Sequence, residues 1–97
     1  MTPKDESLNE GAEIMKAIGH PARIQILLFL SRINKKTSVT EIHQNLGFTQ
    51  SETSRHLSIL KNNHVLHCKK EGSNSYYFIN VTNSLIKGLV SSLSRNL

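Results

Sequence analysis

Residues 21–33, PARIQILLFLSRI, impose the strongest constraint on what this chain can become. Ile24, Ile26, Leu27, Leu28, Phe29, Leu30 and Ile33 leave little polar face, and a helix apolar nearly all round has to be enclosed by other elements. A chain of 97 residues makes one domain and buries roughly two-thirds of its unfolded surface. This helix is therefore expected at the centre, with everything else wrapped around it. Pro21 suits its first position, where a missing N–H costs nothing. Asn34-Lys35-Lys36 ends it in a basic loop.

The flanking segments supply the wrapping. MTPKDES, residues 1–7, is polar and expected as a flexible tail, leaving 8–97 as the folded domain. Leu8, Ala12, Met15 and Ile18 recur at helical spacing, with Ile14 beside them and Gly19 as a stop. Thr37-Ser38-Val39 is expected as a short extended piece. TEIHQNLG then gives a brief helix with Thr40 as its cap, Ile42 and Leu46 on one face, and Gly47 as its end. Another helix runs from Gln50 to about Asn62. Two short helices joined by a tight glycine-containing turn form the helix-turn-helix pattern. Beyond Asn62-Asn63-His64 the period changes. VLHCKK and SYYFIN are rich in β-branched and aromatic residues, and the EGSN between them predicts a β-hairpin. Leu85, Ile86, Leu89, Val90 and Leu93 form a last helical stripe, more apolar surface than one small core needs. Together with Leu8 and Met15 they are expected to form a dimer interface.

The helix at 50–62 carries the functional signal. At about 100° per residue, Thr53, Leu57 and Leu60 share one arc, while Gln50, Ser51, Ser54, Arg55, Ser58, Lys61 and Asn62 occupy a separate arc of roughly 140°. The second arc has donors, acceptors and cations of modest length and no acid. Gln can bridge adenine N6 and N7, Arg can bridge guanine O6 and N7, and Ser adapts to bases or phosphate. An ordinary solvated face would mix Glu with Lys; here the only acid, Glu52, lies outside the arc. Charge agrees. The chain carries +5 overall, yet residues 1–20 hold two cations against four acids, so the excess sits in residues 21–97. A basic body suits a polyanionic partner.

Three segments, IGHPARIQIL, TQSETSRHLSIL and the KKEG…YYFI hairpin, in that order and spacing, resemble the ArsR/SmtB family of winged helix-turn-helix regulators. The resemblance covers residues 14–80. It implies a mainly α fold with a small β-hairpin wing, in the order α-α-β-α-α-β-β-α, dimerising through its first and last helices. It implies a homodimer that binds double-stranded DNA at a palindromic operator and usually represses. Carried over to this chain, the base-reading positions are Gln50, Ser51, Ser54 and Arg55, and the wing cations near phosphate are Lys69 and Lys70; His56 matches a histidine that packs. Four positions depart from the pattern. Glu52 and Thr53 replace the commoner Thr-Val pair, which puts an acid near the DNA rim. Ser73 stands where the wing tip often has Arg. His64 stands where Gly is usual, so a positive φ is expected at a histidine.

No metal site or cofactor is expected. Relatives bind metal through cysteines at positions that here are Ser38 and Thr40, or through Asp, His and Glu on the last helix, of which residues 81–97 have none. Neighbours His67 and Cys68 on a strand point to opposite faces and cannot easily converge on an ion with His64. Cys68 is read as a small buried packing residue, His20 as a helix-start residue and His43 as an exposed helical side chain. The single cysteine, the lack of a signal-peptide core and the absence of a span-length apolar run predict a soluble cytoplasmic protein with no membrane association. No phosphate loop, nucleophile elbow or carboxylate pair suggests an enzyme. Two other readings remain: a winged-helix module for protein partners, and a redox or small-molecule sensor with its effector site at the dimer interface.

Overall fold

The computed structural model describes residues 2–97 and shows five helices with a three-stranded antiparallel sheet. The order is α1 (Asp5–Ile18), α2 (Pro21–Ile33), β1 (Thr37–Ser38), α3 (Val39–Leu46), α4 (Gln50–Asn62), β2 (Leu66–Glu71), β3 (Asn74–Ile79) and α5 (Ser84–Asn96). This is the α-α-β-α-α-β-β-α succession expected of a winged helix-turn-helix. Helix α2 is central: it touches α1, α3, α4, α5 and β3. Its Ile26, Leu27 and Leu30 are buried against Ile14, Ile42, Leu57, Leu60, Val65, Leu66 and Ile86.

Local chemistry sets the helix ends. Helix α1 begins at Asp5, inside the segment expected to be a tail; Asp5 and Glu6 in the first turn and Lys16 in the last complement the helix dipole. Ring nitrogen Nδ1 of His20 accepts from Ala22 N–H at 3.1 Å and caps α2. Ser38, rather than Thr40, caps α3, its hydroxyl accepting from Glu41 N–H at 3.2 Å, because Thr37–Ser38 pairs with β3 and the helix starts directly after it. Gly47, at φ 73°, closes α3 and opens a three-residue connection, Gly47 to Thr49, before α4.

The sheet order is β1-β3-β2, with Leu66 opposite Ile79, Cys68 opposite Tyr77 and Lys70 opposite Ser75. Gly72 at φ 63° and Ser73 make the two-residue turn of the wing. His64 has φ 63°, the left-handed conformation expected for it. The turn it makes is held by Asn80, whose buried amide donates to the His64 carbonyl at 2.9 Å while its backbone N–H donates to the Val65 carbonyl at 3.0 Å. The end of the wing is thus tied to the end of α4.

Two of the seven residues expected at a dimer interface belong instead to the subunit's own core. Ile86 is 0 % and Val90 7 % exposed, because this side of α5 lies on α2. Leu89 and Leu93 are half-buried at the core's edge. Leu8 (53 %), Met15 (59 %) and Leu85 (41 %) remain exposed, and Gly11 of α1 faces Leu85 of α5. A left-handed non-glycine residue costs about 1–2 kcal/mol, against the 0.5–1 kcal/mol of chain entropy that glycine loses. His64→Gly should therefore raise stability by about 0.5–1 kcal/mol, read as a higher denaturation midpoint at constant slope; a lower midpoint would show that the imidazole itself is needed in this turn.

Candidate nucleic-acid interface

Helix α4 has two sides of opposite character. Thr53, His56, Leu57 and Leu60 are buried. Gln50, Ser51, Ser54, Arg55, Ser58, Lys61 and Asn62 are all exposed, so every residue of the polar arc faces solvent. The helix is anchored at its start by a capping box: the Thr49 hydroxyl accepts from Glu52 N–H at 3.1 Å, and the Glu52 carboxylate accepts from the Thr49 hydroxyl at 2.8 Å and from its backbone N–H at 3.4 Å. Those bonds with Thr49 hold the Glu52 carboxyl below its ordinary pKa. Glu52 is thus committed to building the helix, which accounts for an acid in this position. The Thr-x-x-Glu spacing at 49–52 is a capping signature readable in the sequence.

The buried side is polar at two points: Thr53, whose hydroxyl donates to the Thr49 carbonyl, and His56. The Arg23 guanidinium spans two elements, donating through Nε to the Ala17 carbonyl at the end of α1 and approaching His56 Nδ1 at 3.3 Å. His20 packs its ring on His56, centroids 4.8 Å apart. Arg23 can only donate, so His56 Nδ1 accepts and the neutral ring carries its proton on Nε2. Burial, then the neighbouring His20, Arg23 and Arg55, lower the His56 pKa, while Glu52 opposes them weakly. His56 and Arg23 are 33 residues apart, and no local pattern announces their contact.

The wing divides the two lysines expected to lie near phosphate. Lys70 shares a sheet face with Cys68 and Leu66, the face turned to the core and the helix-turn-helix. Lys69 points the other way, with Tyr76, His67 and Phe78. Lys36 lies over the Tyr76 ring and forms an ion pair with Glu71, whose pKa that contact lowers. Cys68 is half-buried beside Tyr77, whose phenol is raised first by burial and then by the neighbouring thiol. His67 is exposed, its ring tilted against Phe78 with centroids 5.4 Å apart, and His43 is half-buried rather than exposed. Among the described residues no group of three or more His, Cys, Asp or Glu side chains is placed to hold a metal ion.

Residues 20–64 match the family described as bacterial regulatory protein, arsR family, and this span takes in the cap of α2, the whole helix-turn-helix and the left-handed turn. The transcriptional repressor PagR of Bacillus anthracis is 35% identical over 88 residues, covering 91% of this chain and 85% of PagR. The chain belongs to the arsR family. PagR's crystal structure superposes with a TM-score of 0.81 over 93% of this chain and 99% of that one. The transcriptional activator HlyU of Vibrio cholerae is 29% identical over 84% of this chain and 72% of its own length, and a HlyU structure covering 95% of this chain and 96% of that one gives a TM-score of 0.82. A homodimeric winged helix-turn-helix domain from Mycobacterium bovis shares the fold at a TM-score of 0.79 and 24% identity over 96% of this chain and 85% of that one. The arsR-family chain is accordingly a winged helix-turn-helix DNA-binding transcriptional regulator and not an enzyme.

Protonation of His56 would set a second cation against Arg23. With the folded pKa below the ordinary 6.5, the unfolded chain binds more protons in the window just under that value, so stability rises with pH there. The contribution is present above about pH 6.5 and is lost as pH falls through the lower folded pKa. Denaturation at pH 7.5 and 5.5 should show a smaller acid loss in His56→Gln than in wild type. Equal losses would mean that His56 is not protonated on unfolding.

Proposed function

We propose that this regulator is a cytoplasmic homodimer that represses transcription by occupying a near-palindromic operator, with α4 in the major groove. The observation that carries the reading is the exposure of all seven polar-arc residues on a helix whose other side is buried. Gln50 and Arg55 read base edges; Ser51, Ser54 and Ser58 adapt to bases or phosphate; Lys61 meets the backbone. The free N–H groups at the start of α4 add a phosphate contact. From the wing, Lys70 reaches the DNA side, and Lys69 is turned away from it. A dimer bound in this way covers its operator, which favours repression, as PagR's name states for PagR.

The dimer supplies cover for Leu8, Met15 and Leu85, with Leu89 and Leu93 at its margin. Exposed apolar residues on two adjacent helices form a patch that a two-fold copy buries against itself. Half-sites then lie about one turn, 10–10.5 bp, apart or a multiple of it.

Selection of bound sequences from a random DNA pool supplies the operator, and binding to it is the test. Gln50→Ala and Arg55→Ala should each cost roughly 1–3 kcal/mol and relax specificity. Raising salt from 50 to 200 mM should cost roughly 10³–10⁵ in affinity if six to ten phosphates are met. Lys70→Ala should weaken binding more than Lys69→Ala. Undiminished affinity of the Gln50→Ala/Arg55→Ala double variant would refute the assignment of α4. Leu8→Glu/Leu85→Glu changes only exposed positions and should convert a sedimenting dimer to monomer; a wild-type monomer at micromolar concentration removes the dimer.

A further inference from the structure

Between the C-terminal half of α2, the outer face of the wing and α5 lies an open groove of about 1010 Å³. Its floor is apolar, with Leu30, Phe78, Ile79, Val81 and Val90 contributing. Val81 is 59 % exposed there, and the dimer seam does not account for it. The walls are cationic: Arg32, Lys35, Lys36, Lys69, Lys87 and Arg95 line the groove, and no acidic residue does among the described residues. Lys36 is spent on Glu71, and Lys35 stands 4.0 Å from Glu41. None of Arg32, Lys69, Lys87 and Arg95 makes an ion pair among the described residues, although Lys69 lies near enough to Glu71 to help lower its pKa.

We propose that this groove binds a small amphipathic anion, an alkyl chain or comparable apolar body carrying a carboxylate or phosphate head, and that it is an effector site of the regulator. The charge pattern demands an anion. The apolar floor demands that the anion bring hydrocarbon, which a phosphodiester backbone does not. The location separates it from both surfaces already described. No residue of α4 lines it. On α5, at about 100° per residue, Lys87, Ser91, Ser94 and Arg95 point roughly opposite to Leu85, Leu89 and Leu93, so a dimer through the latter leaves the groove open. An occupant would touch α2, α5 and the wing together. The wing contributes Lys69 and Phe78 to the groove and Lys70 to the DNA side, so a bound anion acts on the same strand that meets phosphate.

Calorimetry of the full chain with dodecanoate and with dodecyl phosphate, each below its micelle threshold, tests the proposal without reference to DNA. Inorganic phosphate and dodecyltrimethylammonium are the controls. The expected result is a Kd on the order of 10 µM for at least one amphipathic anion, little binding of either control, and a loss of about tenfold or more in Lys87→Glu/Arg95→Glu, both exposed positions. The ratio between the two anions tells a carboxylate head from a phosphate head. Phe78→Ala should weaken the anions while leaving the monomer–dimer equilibrium unchanged. No binding of either anion, equal binding of the cationic amphiphile, or unchanged affinity in Lys87→Glu/Arg95→Glu would overturn the site. Loss of operator binding in that variant with dodecanoate affinity intact would also overturn it, since the groove would then be a DNA-backbone contact.

Discussion

Burial of the α4 inner face on α2 is the contact from which the rest of the molecule takes its orientation. Leu57 and Leu60 are fully enclosed with Ile26, Leu27 and Ile42, and removing a side chain of that kind from a core costs about 2–5 kcal/mol. That burial fixes the rotation of α4 about its own axis. A turn of about 100°, one residue's worth, would bring apolar groups to the surface and take part of the Gln50–Arg55 arc into the core. Exposure of that arc thus depends on a hydrophobic contact in which the arc takes no part. Arg23 adds direction to it: one guanidinium joins the end of α1 to His56 on α4, so the helix expected to carry a dimer seam and the helix expected to read bases are tied to the same side chain.

Much of this was legible before any coordinates. Apolar periodicity located all five helices, the change of period beyond His64 located the wing, and the stretch at 24–33, with little polar face, announced the central helix. The polar arc of α4 was readable because a wheel separates positions about 100° apart and both arcs are wide. The same device failed on α5. Ile86 and Val90 lie about 100° from Leu85 and Leu89 but are equally apolar, so core and outward-facing residues read as one broad stripe; only the position of α2 separates them. Thr40 was the expected cap of α3, and strand pairing of Thr37–Ser38 with Tyr76 and Tyr77 sets the helix start so that Ser38 caps it instead. Arg23 and His56 had no signal, because side chains 33 residues apart meet only after the chain has closed. Lys69 and Lys70 were read as one basic pair, although alternation along a strand sends them to opposite faces.

Three surfaces meet on α5. One side is core through Ile86 and Val90, one is the exposed apolar edge at Leu85, and the third is the cationic wall with Lys87 and Arg95. A helix of 13 residues between such neighbours cannot shift against one without disturbing the others. Packed interfaces of this size move between discrete arrangements rather than deform continuously, and a ligand biases them only through a difference in affinity between the arrangements. The groove can supply such a difference. Its walls come from elements that pack on one another, α2 and α5 joined by the Ser31–Ser94 hydroxyl contact at 3.2 Å, and from a wing whose outer face is otherwise covered only by Lys36. Arg32, Lys69, Lys87 and Arg95 line the groove without an ion pair of their own among the described residues, and an anion there would offset their mutual repulsion. The strand at the groove's edge carries Lys69 on one face and Lys70 on the other. Wing position relative to α4 is therefore the coordinate through which occupancy of the groove and contact with phosphate would be linked.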